Sequence, residues 1–326
     1  MPFKLCSTIN IGDYQFNGGV TDLVIKRSVK EIVDTAVIRV PALGSVLGTD
    51  LPNSSVKTST LFKEGDLVII QLGYNGQYQQ EFKGFVRRVT ASTPVEIECE
   101  GYAWQLRRVR LAGYWKSIFL PDFLKLLVAG TGIQLSGSIP NIPLTNLKLD
   151  RPNGLKVLEY IKDSVHLSSY FMFDTLYVGL EEGLPGKQVG HSLGWNTIKD
   201  DKLKYRDAAD TLLQIRFKGA KGKNVKTPLL TAGDDEGSVV TYNFANVTDQ
   251  ATANQIINDI LQQQKYTGLE GSFTAFLQPF IQMCDTDVIT DPIYKVRQGS
   301  YFVQGVEVRY GMNGATREVS VGRSLG

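Results

Sequence analysis

The chain has 326 residues, 42% hydrophobic and 21% charged, ordinary values for a globular protein and enough length for two or three domains that each bury a core. Lys and Arg number 35 against 33 Asp and Glu, a formal charge of +2, which excludes a global electrostatic pull toward nucleic acid or anionic membrane. Cys6, Cys99 and Cys284 are far apart with no CxxC spacing, excluding a zinc ribbon or disulfide framework and suiting synthesis in a reducing compartment. The amino end has no basic start followed by an apolar run, and nowhere do eighteen apolar residues follow one another, so neither a signal peptide nor a membrane span is expected.

Residues 1–110 read as strands almost throughout. Asp22 to Arg27 and Thr35 to Val40 carry the β-branched enrichment of half-buried strands, with Asn17-Gly18-Gly19 as a turn before them. The stretch Gly44 to Thr60 is long and polar and is expected to protrude as a loop. Leu61 to Gly101 then reads as a small barrel in miniature. Gly65-Asp66 launches the apolar strand Leu67 to Leu72, Asn75-Gly76 turns it back, and a second strand carries Gly84 inside Phe82-Lys83-Gly84-Phe85-Val86. A third strand follows the Ser92-Thr93-Pro94 turn; its Glu96, Glu98 and Glu100 share a face, with Arg87 and Arg88 opposite for cross-strand ion pairing.

From Leu111 the texture becomes mixed. Pro121 to Gly130 has proline near a helix start and glycine past its end, and a second helix is expected after Asn153, where Leu155, Leu158, Ile161 and Val165 recur at helical spacing. Strands are expected at Asn146 to Leu149 and Ser169 to Leu180. From Lys204 the β texture returns at Thr211 to Phe217, Gly237 to Phe244, Tyr301 to Tyr310 and Thr316 to Val321. One helix interrupts it, with Thr248 as N-cap and Ala253, Ile256, Ile257, Ile260 and Leu261 as an apolar stripe that packs on its own sheet. Val303-Gln304-Gly305-Val306 repeats the pattern around Gly84, a glycine inside a strand that opens a hairpin, where a barrel bends or another backbone approaches. The expected fold class is α+β, mainly β: a first barrel in 1–110, an α/β insertion in 111–203, and a second, related barrel in 204–326 with a packed helix near 249–264.

Reactive constellations are missing. His166 at a helix end and His191 in a glycine-bounded loop have no ligand at metal spacing, and no G-x-S-x-G, HExxH or paired CxxC occurs. Gly183 to Gln188 has the wrong glycine spacing for a phosphate loop. Asp285, Asp287 and Asp291 lack the ligand and glycine that a calcium loop needs near Ile289 and Thr290, so a turn is expected there. No catalytic, cofactor-binding or metal-binding residue is therefore assigned. Lys218, Lys221, Lys223 and Lys226 crowd a glycine-rich loop that is either a solvated hairpin tip or a contact for a polyanion; with no aromatic among them, stacking on single-stranded bases is unsupported.

The order Gly65-Asp66, Phe82-x-Gly84, an acidic strand ending near Trp104, an α/β insertion and a closing hairpin from Gly299 through Gly305 to Val308 resembles the phage late control protein D family. That family comprises baseplate hub proteins of contractile tails and is similar to the amino-terminal part of VgrG spikes. The resemblance spans nearly the whole chain, with Gly65, Asp66, Gly84, Trp104 and Gly305 as its structural signature. It implies a homotrimer whose six barrels form a pseudo-sixfold ring between the tail tube protein above and the spike below, with tape measure and other baseplate proteins as further partners. Because the chain stops at Gly326 without a β-helix needle, the spike is expected to be a separate polypeptide. Synthesis in the bacterial cytoplasm and action in a virion or injection particle follow from the same likeness, with no cofactor, no specific nucleic acid and no enzyme activity. Two other readings remain open. One is a cell-wall hydrolase using Asp66, Glu81, Glu96 or Glu98; the other is a nucleic-acid-binding barrel using the lysine loop. Exposed aromatics such as Tyr114 and Trp115 are candidates for a subunit interface.

Overall fold

A computed structural model describes residues 4–16, 19–46, 54–219, 229–244 and 250–325. The chain is α+β and mainly β. Its first part supplies β1 (Leu5–Ile11), β2 (Tyr14–Phe16), β3 (Asp22–Ser28), β4 (Thr35–Val40), β5 (Leu43–Val46), β6 (Ser54–Lys57), β7 (Leu67–Tyr74), β8 (Gln77–Thr90) and β9 (Val95–Gly101). Six of these run antiparallel in the order β3-β4-β9-β8-β7-β1 and bury alternate residues in one apolar cluster that includes Ile25, Ile38, Ile97, Phe82, Ile70 and Ile11. Period-two alternation explains why one face of every strand is apolar. The expected loop at Gly44 to Thr60 instead contains the β5–β6 hairpin and a short 3-10 turn at Thr58–Thr60.

The middle of the chain forms α1 (Ala103–Leu106), β10 (Gly113–Phe119), α2 (Leu120–Val128), β11 (Gln134–Leu135), β12 (Pro143–Leu149), α3 (Gly154–Val165), β13 (Ser168–Met172) and β14 (Thr175–Gly179). Pro121 sits in the first turn of α2, and Gly130 follows its end at φ +76°. The Asn153 side chain accepts the Lys156 N–H at 2.9 Å, so α3 begins where its cap requires. The strand expected over Ser169 to Leu180 is a hairpin, because Phe173 and Asp174 turn the chain between β13 and β14.

The last part contributes β15 (Gln188–Ser192), β16 (Thr197–Lys199), β17 (Lys204–Arg206), β18 (Leu213–Gly219), β19 (Leu229–Gly233), β20 (Ser238–Phe244), α4 (Gln250–Gln264), β21 (Gly268–Ala275), β22 (Thr286–Thr290), β23 (Gly299–Gly311) and β24 (Gly314–Ser324). Thr248, the expected cap of α4, lies outside the described residues. The helix packs on β18 and β19 through its apolar stripe, and that small sheet shares its core with α2, α3, β13 and β14. The remaining strands, in the order β15-β22-β23-β24-β21-β16 with β17 also paired to β21, enclose another cluster built on Phe273, Tyr301, Val303 and Val319.

The two units are one continuous 14-stranded sheet. β23 pairs β3 antiparallel from Gly305↔Ser28 to Gly311↔Asp22. A Cβ on Gly305 would lie 2.9 Å from the Arg27 carbonyl oxygen, and one on Gly84 only 2.2 Å from that of Glu100, so both glycines permit a close backbone approach. Across the seam, the inward face of β24 passes from Ala315 in the first cluster to Val319 in the second. Arg317 lies between them, 0% exposed. It donates to Glu81 through Nη2 at 2.6 Å and Nη1 at 3.1 Å, and to the Ile281 carbonyl at 2.7 Å. Glu81 is the extra residue of a bulge in β8, between Ile70↔Phe82 and Gln71↔Gln80, which turns its carboxylate inward.

Two stability outcomes follow. Gly84→Ala and Gly305→Ala each force the ladder to open and lower urea-denaturation stability by roughly 1–3 kcal/mol, Gly84→Ala the more; unchanged midpoints would contradict the close approach. Glu81→Gln strands a buried guanidinium and costs about 3–5 kcal/mol, whereas the double change Glu81→Leu, Arg317→Met recovers most of that loss. A double-mutant cycle reads the coupling directly, and additive effects would contradict it.

Candidate assembly surface

Four of the five signature residues meet at one corner of the first barrel. Gly65, at φ +91°, donates its N–H to the Val86 carbonyl at 2.8 Å, and a Cβ there would come within 3.2 Å of the Trp104 ring. The carboxylate of Asp66 accepts the Lys63 N–H at 2.8 Å, while its carbonyl accepts the Val86 N–H at 2.9 Å. Gly84 lies opposite Gly101, and the next residue, Phe85, stacks on Trp104 with centroids 5.2 Å apart. Trp104 itself belongs to α1 rather than to the acidic strand, and Arg108 lies 4.2 Å over its ring. This corner is held by backbone hydrogen bonds and ring packing. Gly305 stands apart, on the seam.

The carboxylates named for acid–base chemistry are all engaged. Arg88 pairs with Glu98, and Arg87 with Glu100 at 3.0 Å, as cross-strand pairing predicts. Glu96 turns to the other neighbour, β4, and pairs with Arg39 at 2.9 Å; Glu100 is buried and takes Arg107 as well, at 2.6 Å. Glu81 belongs to Arg317 and Asp66 to the Lys63 backbone. Burial pushes the Cys284 thiol up to about 12 and the Cys99 thiol upward too, so neither is a thiolate nucleophile at neutral pH.

The histidines separate. His166 is the left-handed C-cap of α3, edge-on to Tyr242 at 4.9 Å, and burial lowers its pKa. His191 lies on β15 rather than in a loop, fully buried, with Nδ1 2.9 Å from Asp287 Oδ1. Burial raises the Asp287 carboxyl above its ordinary range, against the pull of His191. No local pattern signals this pair, because β15 and β22 run parallel and bring together residues 96 positions apart. Asp285 accepts the Lys187 and Gln282 N–H groups, and Asp291 accepts those of Ile293 and Tyr294, so these two do serve turns. Among the described residues no three His, Cys, Asp or Glu side chains converge as metal ligands.

What the surface offers is apolar and cationic area. Tyr114 is exposed and donates its hydroxyl to Asn146 at 3.2 Å, whereas Trp115 is half-buried against Phe123. A larger apolar area lies on the second barrel, where Tyr205, Tyr294 and Val296 are 50%, 58% and 66% exposed around a shallow depression. Lys221, Lys223 and Lys226 lie outside the described residues; the Lys218 backbone pairs with Leu229 near the end of β18.

No protein-family model matches the chain, and no curated protein matches it. Solved structures do. The 43 kDa tail protein of prophage MuSo2 from Shewanella oneidensis is 12% identical, with 97% of each chain covered and a TM-score of 0.64. A tail protein from Neisseria meningitidis is 14% identical over 98% of this chain and 96% of that one, with a TM-score of 0.67. An E. coli type VI secretion component, described as structurally similar to the T4 bacteriophage tail proteins gp27 and gp5, is 8% identical over 98% of this chain and 77% of its own, at a TM-score of 0.60. Along its whole length the chain therefore has the fold of phage tail proteins and of this secretion-system relative.

Proposed function

We propose that the chain is a structural baseplate hub of a contractile phage tail or related injection system, without enzymatic activity. Three copies form a pseudo-sixfold ring that joins a sixfold tail tube to a threefold spike. The observation that supports this reading most is the pair of units fused in one sheet by the β3–β23 seam. Two such units per chain let three copies match six neighbours, and a closed ring uses the same surfaces at every contact. Residues 1–110 and 204–326 are read as the two barrel segments flanking an insertion at 111–203, with β15 and β16 from that span joining the second unit's sheet and β18–β20 and α4 lending their core to the insertion.

The absence of enzymatic activity rests on the engagement of Asp66, Glu81, Glu96 and Glu98 described above. Tail tube, spike and tape measure proteins are the expected partners, and the neighbours' own descriptions as tail proteins agree with a place in a virion or injection particle.

Light scattering on the purified chain tests the assembly. A particle of three times 36.1 kDa, with six lobes when imaged down its axis, is the expected result. A strictly monomeric protein at every concentration, also in the presence of tube and spike proteins, would sink the hub reading.

A further inference from the structure

The second barrel ends in an open strand edge. β21 has β24 on one side; on the other, β16 reaches Thr274 and Ala275 while β17 covers Gly268 to Glu270. Among the described residues no strand pairs the outer edge of β17, which leaves a backbone template for an extended segment. Its three residues alternate, so Lys204 and Arg206 point to one face and Tyr205 to the other.

The two faces differ in chemistry. On the Lys204 side is a groove of about 450 Å³ lined by the cations Lys30, Lys202, Lys204, Arg206 and Arg323, against the single carboxylate Glu270. Lys202 is paired with Glu318, Arg206 with Glu270 and Arg323 with Glu182. Lys204 has no ion pair among the described residues, and Lys30 has the buried Glu181 within electrostatic reach, a carboxyl that burial raises above its ordinary range. The groove thus keeps a surplus of positive charge. On the Tyr205 side, Tyr294 and Val296 form the apolar depression, with Asp200 and Asp201 at its rim.

We propose that the β17 edge receives an extended peptide segment of a partner protein in which acidic and apolar residues alternate. Its acidic side chains meet Lys204 and the groove, and its apolar ones cover Tyr205, Tyr294 and Val296. Main-chain pairing supplies affinity in this mode, and alternate side-chain sites supply specificity. A nucleic-acid strand fits less well, because it carries no main-chain amides and carbonyls to pair with the β17 edge. The site does not require the ring, and the mass of the assembly is read on the same samples, so failure of either idea is told apart.

The test is fluorescence anisotropy of a labelled Glu-Val-Glu-Val-Glu-Val peptide on the full chain, against a peptide of the same composition in two blocks and a single-stranded oligothymidylate. Binding of the alternating peptide alone is expected, weakened at least about tenfold by Lys204→Glu, with amides of 203–206 gaining protection from hydrogen exchange. Equal binding of both peptides, preference for the oligonucleotide, no binding, or binding that Lys204→Glu leaves intact would each overturn the proposal. So would protection of 203–206 that grows with protein concentration in the absence of peptide, since a second copy would then occupy the edge.

Discussion

The buried contact between Arg317 and Glu81 is the constraint on which the two-barrel arrangement turns. It lies where the inward face of β24 leaves one apolar cluster and enters the other. A guanidinium with no exposure must be met by carboxylate and carbonyl acceptors, since an isolated buried charge costs several kcal/mol. Only one placement of β8 against β24 supplies both Glu81 and the Ile281 carbonyl. An apolar pair of similar volume would hold the same strands together without fixing that placement. The ion pair is therefore better understood as a register device than as a source of stability.

The glycines act at the same level. Gly305 lets β3 come close enough for seven consecutive residue pairs along the seam, and the bulges in β8 and β23 adjust which side chains point inward. A second buried pair, Arg27 with Asp34 at 3.2 Å, sits where β3 leaves the first barrel. Burial raises the Asp34 carboxyl to about 6 even though Arg27 opposes the shift. Arg27 also lies 4.2 Å over the Phe173 ring in the β13–β14 turn, so this cation ties the first barrel to the α/β part. The three cores are thus joined by charges whose partners come from different segments of the chain.

That pattern explains what could be read from sequence. Periodicity located β3, β4, β7, α2 and α3 to within a few residues, because each buries one face against a core that is local or nearly so. The close backbone approaches at Gly84 and Gly305 were legible because a glycine inside a strand has few other uses. The interior pairs were not legible. Glu81 and Arg317 are 236 positions apart and His191 and Asp287 are 96 apart, and no local rule connects them. Glu96 chose Arg39 over the expected arginines because β9 has a neighbour on each side, and a single strand sequence does not say which side a long side chain will reach. The short edge strands β16 and β17 were invisible for the opposite reason: three residues carry no period.

The division between spent and unspent polar groups connects this architecture to function. Charges inside the molecule are consumed in fixing strand register, and the carboxylates with a conceivable chemical role are already neutralised by Arg39, Arg88 and Arg317. Of these, Glu81 cannot leave Arg317 without dismantling the junction, whereas the Glu96–Arg39 and Glu98–Arg88 pairs are partly exposed to solvent. Among the described residues, backbone and charge open to a partner lie along the β17 edge and in the cationic groove beside it, with the apolar face of Tyr205 and Tyr294 on the other side. Their placement at the end of the long sheet leaves the seam undisturbed. Two apolar clusters under one continuous sheet, with a buried ion pair at their junction, thus leave an unpaired strand edge clear of the seam.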